Sequence, residues 1–160
     1  SIHTNKVLEF TLADTQHIIC VSHTSKENTV LRANVPPSRV SVIPNAVDSS
    51  RFQPDQRPRP PPPTINIVVV SRMAYRKGVD LLIELVPRVC RRFPFVNFIV
   101  GGDGPKYPLV VNMRKVHHLE GRVELLGNVP HGDVASVLNR GQLFLNMSLT
   151  EAFCIALLEA

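Results

Sequence analysis

Apolar and polar positions along this chain follow two alternating periods, and the pattern is clearest from Thr64 onward. Ile65-Asn-Ile-Val-Val-Val70 is an apolar run of strand length, and Val79, Leu82, Leu85, Val86 and Val89 then recur at helical spacing over 78–92. Pro87 falls inside that helix, where its missing N–H and its ring predict a kink or a split. The cycle repeats twice. A strand at 95–100 leads into Gly101-Gly-Asp-Gly-Pro105 and a helix over 106–117, and a strand at 122–126 leads into Gly127-Asn-Val-Pro-His-Gly-Asp133. Asp133 is placed to cap a short helix carrying Val134, Val137 and Leu138 and ending at Gly141. A fourth strand, 142–146, delivers the chain to a terminal loop and helix. Strands joined in turn by helices predict an α/β architecture with a doubly wound parallel sheet.

The first third is organised differently. Residues 17–21 read as a buried strand, Ser22-His-Thr-Ser-Lys-Glu27 offers several N-caps for a helix reaching about Arg32, and 40–43 is a short strand closed by Pro44-Asn45. Residues 49–63 show no apolar periodicity and contain Arg57-Pro-Arg-Pro-Pro-Pro-Pro63, a linker stiffened by polyproline II. The expected organisation is therefore 1–48, a proline-rich linker at 49–63, and 64–160.

Composition changes this picture in three places. At 160 residues, 44% hydrophobic and 19% charged, the chain is long enough to bury a core. A formal charge of +5 points to anionic partners, phosphate groups or an acidic membrane surface, and is too small and too dispersed to indicate nucleic acid. Cys20, Cys90 and Cys154 are odd in number and far apart, a pattern of reduced thiols. No apolar run approaches the roughly 20 residues of a membrane span, and residues 1–15 lack a signal-peptide core.

Two groups of charged residues carry the candidate chemistry. Arg72 and Lys77 lie between the first strand of the sheet and the helix opening at Gly78, where α/β sheets bind ligands. A guanidinium fork with a lysine point charge suits two linked phosphates, and Gly78 would admit a phosphate close to the backbone. The same pair also reads as two solvated cations, and Arg76 is expected to face solvent. Glu151 and Glu159 stand eight residues apart in an apolar terminal segment. On one helix they would be two turns, roughly 12 Å, apart, a spacing for opposite ends of an extended ligand. Ser148-x-x-Glu151 also matches a capping box, and Glu159 also reads as an exposed helix residue.

Several chemistries fail on spacing. Gly102-x-Gly104 begins a dinucleotide fingerprint, but Tyr107 occupies its third glycine position. There is no Gly-Lys-Ser/Thr phosphate loop and no Asp-x-Asp. His117, His118 and Glu120 resemble metal ligands only in composition, because adjacent helix residues point apart. Ser22-His23-Thr24 is better read as a helix cap than as a nucleophile cluster.

Taken in order, Ser71-Arg72…Lys77-Gly78, Gly101-Gly-Asp-Gly-Pro105, Leu126-Gly127-x-Val129 and Glu151-x7-Glu159 resemble the nucleotide-binding domain of retaining GT-B glycosyltransferases, with its Rossmann-like sheet. The resemblance covers nearly the whole chain. Cys20-Val-Ser-His-Thr-Ser-Lys-Glu-Asn28, Ser41-Val-Ile-Pro-Asn-Ala-Val-Asp48 and Leu145-Asn-Met-Ser-Leu-Thr-Glu-Ala-Phe-Cys154 are similar, more narrowly, to the family of catalytic subunits that transfer N-acetylglucosamine to phosphatidylinositol. Ala152-Phe153-Cys154 stands where many GT-B relatives carry Gly-Phe-Gly.

That resemblance implies a role for each candidate. Arg72 and Lys77 would hold the diphosphate of a UDP-sugar, Glu151 and Ala152, Phe153 and Cys154 the sugar, Glu159 the ribose, and Val129 with Ile155 the uracil. Catalytic roles would fall to Arg72, Lys77 and Glu151, with retention of configuration and no metal or other cofactor. It further implies UDP-N-acetylglucosamine as donor, a phosphatidylinositol acceptor, other subunits of a membrane complex as partners, and the cytosolic face of the endoplasmic reticulum as location. Most of an acceptor-side domain is expected to be missing, so the chain is expected to be a truncated donor half, poorly soluble and inactive alone. Two alternatives stay open: a GT-B transferase using another nucleotide sugar, and a noncatalytic subunit whose Pro58–Pro63 run docks a proline-recognition module.

Overall fold

The computed structural model describes residues 2–55 and 60–160. The chain forms two compact units, one of residues up to Val47 with Glu151–Ile155, the other of Asp48–Thr150 with Ala156–Ala160.

The first unit contains α1 (Ile2–Leu12), β1 (Ile18–Cys20), α2 (His23–Ala33) and β2 (Val40–Val42). The two strands pair in parallel, Ile18 opposite Val40. Their core is Cys20, Ala33, Val35 and Val40, with Leu8 and Leu12 of α1 packed against it. Helix α1 gives no helical stripe in the sequence because its apolar residues are spread around it: Leu8 and Leu12 face the core while Ile2, Val7 and Phe10 are exposed. Ser22 does cap α2: its Oγ accepts from the Ser25 N–H at 3.1 Å. The buried strand expected at 17–21 is corrected to a half-covered one, with Ile19 63% exposed and Cys20 at 6%.

The second unit is a four-stranded parallel sheet built from β3 (Ile65–Val70), α3 (Val79–Arg92), β4 (Val96–Gly101), α4 (Tyr107–Val116), β5 (Val123–Gly127), α5 (Val134–Leu138) and β6 (Leu143–Phe144). The strand order is β5-β4-β3-β6. The chain steps outward from β3 to β5, then returns to the other side of β3, so its topological switch lies between β3 and β6. Register follows the pleat, with Ile65 opposite Val96 and Ile67 opposite Leu143. Both faces are apolar because both are covered. Val69, Phe98, Val100 and Val123 pack with Leu82 and Val86 of α3 and with Val110 of α4 in one core. Val68 and Ile99 pack with Val137 of α5 in the other. This is the doubly wound α/β sheet expected from the alternating pattern.

Four local expectations change. Helix α3 runs unbroken through Pro87 rather than splitting, because Pro87 is itself buried with Val79, Leu82, Val86 and Cys90 on a strongly apolar face. Packing of that face offsets the lost backbone hydrogen bond. Asp133 precedes α5 but makes no capping hydrogen bond; a 3-10 turn over His131–Asp133 starts that helix instead. Strand β6 is two residues long where five were expected. The terminal helix α6 is Ile155–Glu159, beginning well after Ser148.

Of the proline-rich segment, residues 56–59 lie outside the described residues. Part of its described portion is tethered rather than free. Asn139 Nδ2 donates to the Gln53 carbonyl at 2.9 Å, the Asp55 N–H donates to Asn139 Oδ1 at 3.3 Å, and the Phe52 ring lies 6.3 Å from the His131 ring. Among the described residues no helix is long and apolar enough to cross a membrane.

Candidate functional site

The loop leaving β3 carries both candidate phosphate-binding cations. It begins at the carboxyl end of the strand beside the topological switch, where Ser71 N–H donates to the Gly101 carbonyl at 3.1 Å. Arg72 is exposed, and among the described residues none pairs with its guanidinium. Met73, next along, is 0% exposed and anchors the loop in the core. Tyr75–Lys77 then form a 3-10 turn, Lys77 half-buried and Arg76 exposed, and Gly78 opens α3 with φ 70° and ψ 29°.

The glycines hold this loop by letting backbone meet backbone. A Cβ on Gly78 would lie 1.9 Å from the Met147 carbonyl oxygen, so the β6-exit loop fills the space expected for a close phosphate. That is a correction to the expected role of Gly78: its lack of a side chain accommodates the chain itself. The Leu149 N–H donates to the Arg76 carbonyl at 2.9 Å, a second tie across the switch point. Gly102, at φ 129°, would place a Cβ 1.8 Å from the Ser71 carbonyl oxygen. Met73 N–H donates to the Asp103 carbonyl at 2.9 Å, and Lys106 N–H returns a bond of 2.9 Å to the Met73 carbonyl. The Gly101–Gly104 stretch, which fails as a dinucleotide loop, is thus a brace for Arg72.

These loops border a cleft of about 410 Å³ lined by Val70, Ser71, Arg72, Gly102, Asp103, Asn128 and Val129. It lies past the carboxyl ends of β3, β4 and β5. Its walls offer one guanidinium, one carboxylate already accepting from the Gly104 N–H at 2.7 Å, an exposed amide at Asn128, and the apolar Val129. Gly101 makes room for Val129, whose methyl would lie 2.7 Å from a Cβ there. A cation next to an apolar wall and an amide can receive a phosphate and a flat ring together. Gly102, Asp103 and Asn128 carry no candidate ligand role in the sequence, although each follows the end of a predicted strand.

The remaining candidates are not among the residues that line this cleft. Glu159 is half-buried and lines a separate cleft of about 300 Å³ along the edge of β6, with Phe144, Leu158 and Phe52. Glu151, Ala152, Phe153, Cys154 and Ile155 group with the first unit. There Phe153 borders a cleft of about 600 Å³ with Ser22, His23, Lys26 and Ser41. Glu151 precedes α6 by four residues, which removes both the capping box and the two-turn helical spacing to Glu159. Ser148 instead donates its N–H to Asn146 Oδ1 at 3.1 Å. The three cysteines are thiols rather than disulfides, Cys20 and Cys90 buried and Cys154 half-buried. Among the described residues no three His, Cys, Asp or Glu side chains gather as metal ligands.

Residues 51–160 match the model of the glycosyl transferases group 1. The chain belongs to that family. Residues 1–51 of this group 1 glycosyl transferase match a second model, glycosyltransferase family 4. The chain is 61% identical over its whole length to the A subunit of phosphatidylinositol N-acetylglucosaminyltransferase from Arabidopsis thaliana, covering 36% of that protein. It is 56% identical to the A subunit from Homo sapiens, covering 33% of it. The chain thus spans about a third of the length of these curated relatives.

Solved structures share the fold of this group 1 glycosyl transferase. The pneumococcal O-GlcNAc transferase GtfA, in complex with UDP and GlcNAc, superposes with a TM-score of 0.81 at 19% identity, over 99% of this chain and 30% of GtfA. Anabaena HepE, in complex with UDP and glucose, gives 0.80 at 19% identity, over all of this chain and 46% of HepE. The GT-B architecture expected from the motifs agrees with these neighbours.

Proposed function

We propose that this chain is the donor-binding part of a retaining transferase that moves N-acetylglucosamine from UDP-N-acetylglucosamine to phosphatidylinositol, opening glycosylphosphatidylinositol-anchor synthesis. The observation that carries the reading is an exposed Arg72, with no ion-pair partner among the described residues, in a cleft at the sheet's switch point. It stands in a chain that aligns end to end with phosphatidylinositol N-acetylglucosaminyltransferase subunits. A strand-end cleft with a guanidinium is where an α/β sheet receives a phosphate.

In this reading the acceptor hydroxyl attacks the anomeric carbon from the face that UDP leaves, and its proton passes to a departing phosphate oxygen. The sugar–oxygen bond to UDP breaks as the new glycosidic bond forms. Arg72 and Lys77 stabilise the charge that builds on the diphosphate, an electrostatic contribution made mainly in the transition state. Val129 forms an apolar wall for the base, and Ile155 is assigned to the same ligand group. Glu151 through Cys154 are assigned to the sugar and Glu159 to the ribose. No metal is required by this scheme. The acceptor, the partner subunits and a place on the cytosolic face of the endoplasmic reticulum membrane belong to the same proposal.

The test is calorimetric titration with UDP-N-acetylglucosamine, UDP-glucose and GDP-mannose, for wild type and Arg72→Ala. Loss of a charged hydrogen bond weakens UDP-N-acetylglucosamine by about 1.5–3 kcal/mol. Equal binding of all three donors would refute the hexose and base assignment. Unchanged donor affinity in Arg72→Ala would refute the phosphate site.

A further inference from the structure

We infer that Lys106 is the positioning residue of the diphosphate-binding turn, an inference that rests on the donor site proposed above. Its ammonium lies 2.6 and 2.5 Å from the two carboxylate oxygens of Asp80 and 5.3 Å from the centroid of the Tyr75 ring. Its backbone N–H holds the Met73 carbonyl at 2.9 Å. Asp80 stands in the first turn of α3, Tyr75 opens the 3-10 turn that ends at Lys77, and Met73 directly follows Arg72. One residue at the head of α4 therefore touches the phosphate-bearing segment at its start, in its middle, and on the helix that continues it.

The alternative is an ordinary ion pair, and exposure bounds its size. The Lys106 and Asp80 side chains are 26% and 45% exposed. Such a pair is partly screened and adds little to global stability. Its role is geometric more than energetic: to the backbone ties that Asp103 and Leu149 make to this segment it adds a side-chain link from α4 to both the 3-10 turn and the first turn of α3. Lys106 does not line the Arg72 cleft, so it acts on the ligand through the turn. Small displacements of positioned charges change binding and rate out of proportion to the interaction removed.

The experiment compares UDP with uridine as probes, using wild type, Lys106→Met, Lys106→Arg, Asp80→Asn and Arg72→Ala, with thermal melting of each. Lys106→Met is expected to weaken UDP roughly tenfold while leaving uridine unchanged, since the base wall does not depend on the turn. Lys106→Arg, which keeps the cation on Asp80 and Tyr75, is expected to restore most of the affinity. Asp80→Asn, at a half-exposed position, shifts UDP in the same direction and serves if Lys106→Met does not fold. In the Arg72→Ala background Lys106→Met keeps only the part of its effect that passes through Lys77, so the two losses sum to less than full additivity.

Equal weakening of UDP and uridine, or full additivity with Arg72→Ala, overturns the inference in favour of a general structural role. UDP affinity that falls in Arg72→Ala but not in Lys106→Met or Asp80→Asn overturns it alone. Failure of wild type to bind UDP overturns it together with the donor site.

Discussion

Gly78→Ala is the sharpest single test of how the site is assembled. The backbone there has φ 70° and ψ 29°, and forcing alanine into that left-handed conformation costs about 1–2 kcal/mol. The new Cβ would stand 1.9 Å from the Met147 oxygen and 2.7 Å from its carbonyl carbon. Both obstacles are backbone, so the β6-exit loop must move by roughly 1.5 Å to reach ordinary contact. That loop is pinned on both sides of Met147, by Leu145 N–H on the Val68 carbonyl at 2.8 Å and Leu149 N–H on the Arg76 carbonyl at 2.9 Å. Weakening one of these adds about 0.5–1.5 kcal/mol. The sum is a loss of about 1.5–3.5 kcal/mol, a large share of a domain stability of about 5–15 kcal/mol.

Urea titration read by hydrogen exchange at β3 and β4 amides isolates the second unit from the first. Gly121→Ala is the control, since a Cβ there meets nothing within 4 Å, and it should stay within about 0.5 kcal/mol of wild type. UDP affinity should fall in Gly78→Ala and hold in Gly121→Ala. If the two alanine variants were equally stable, the close approach of the β6-exit loop to α3 would be refuted.

Phe98 is 1% exposed at the centre of the sheet, so Phe98→Ala should cost about 3–5 kcal/mol in the same titration; a loss below about 1 kcal/mol would contradict its burial. Burial pushes the Cys90 thiol above its ordinary range, with the Arg122 charge opposing. The unfolded chain therefore releases that proton first, so the contribution is fully present below about pH 8.5 and is lost as pH rises through the folded value. Cys90→Val should flatten the alkaline part of a melting-temperature profile, and an unchanged slope would count against the buried thiol. Half-buried Cys154 should also react with a thiol reagent before Cys20 and Cys90.

Element types in the second unit are legible because two periods separate them. Strands of five or six mainly apolar residues, covered on both faces, alternate with a helix whose apolar stripe at 79, 82, 85, 86 and 89 is unambiguous. The candidate phosphate-binding cations are legible for a related reason: a strand end followed by Arg, Lys and Gly occupies a position that a parallel sheet presents to ligand. Where the local signal is weak, it misleads. Helix α1 has its apolar residues spread around it, Pro87 has the form of a breaker but is held by its burial, and a Ser-x-x-Glu match at 148–151 mimics a helix start.

Neighbours within one turn or one strand thus decide the α/β alternation, the cap at Ser22 and the cations placed after β3, and all three can be read directly from the chain. Three-dimensional packing sets the strand order β5-β4-β3-β6, the Met147 carbonyl filling the space at Gly78, and the grip of Lys106 on Asp80 from 26 residues away. It also leaves Glu159 lining a cleft along the edge of β6 with Phe144 and Phe52. The division is physical. Periodicity and capping act through short-range sterics and hydrogen bonds written in adjacent residues, whereas register and loop packing depend on which distant backbones come to rest against each other.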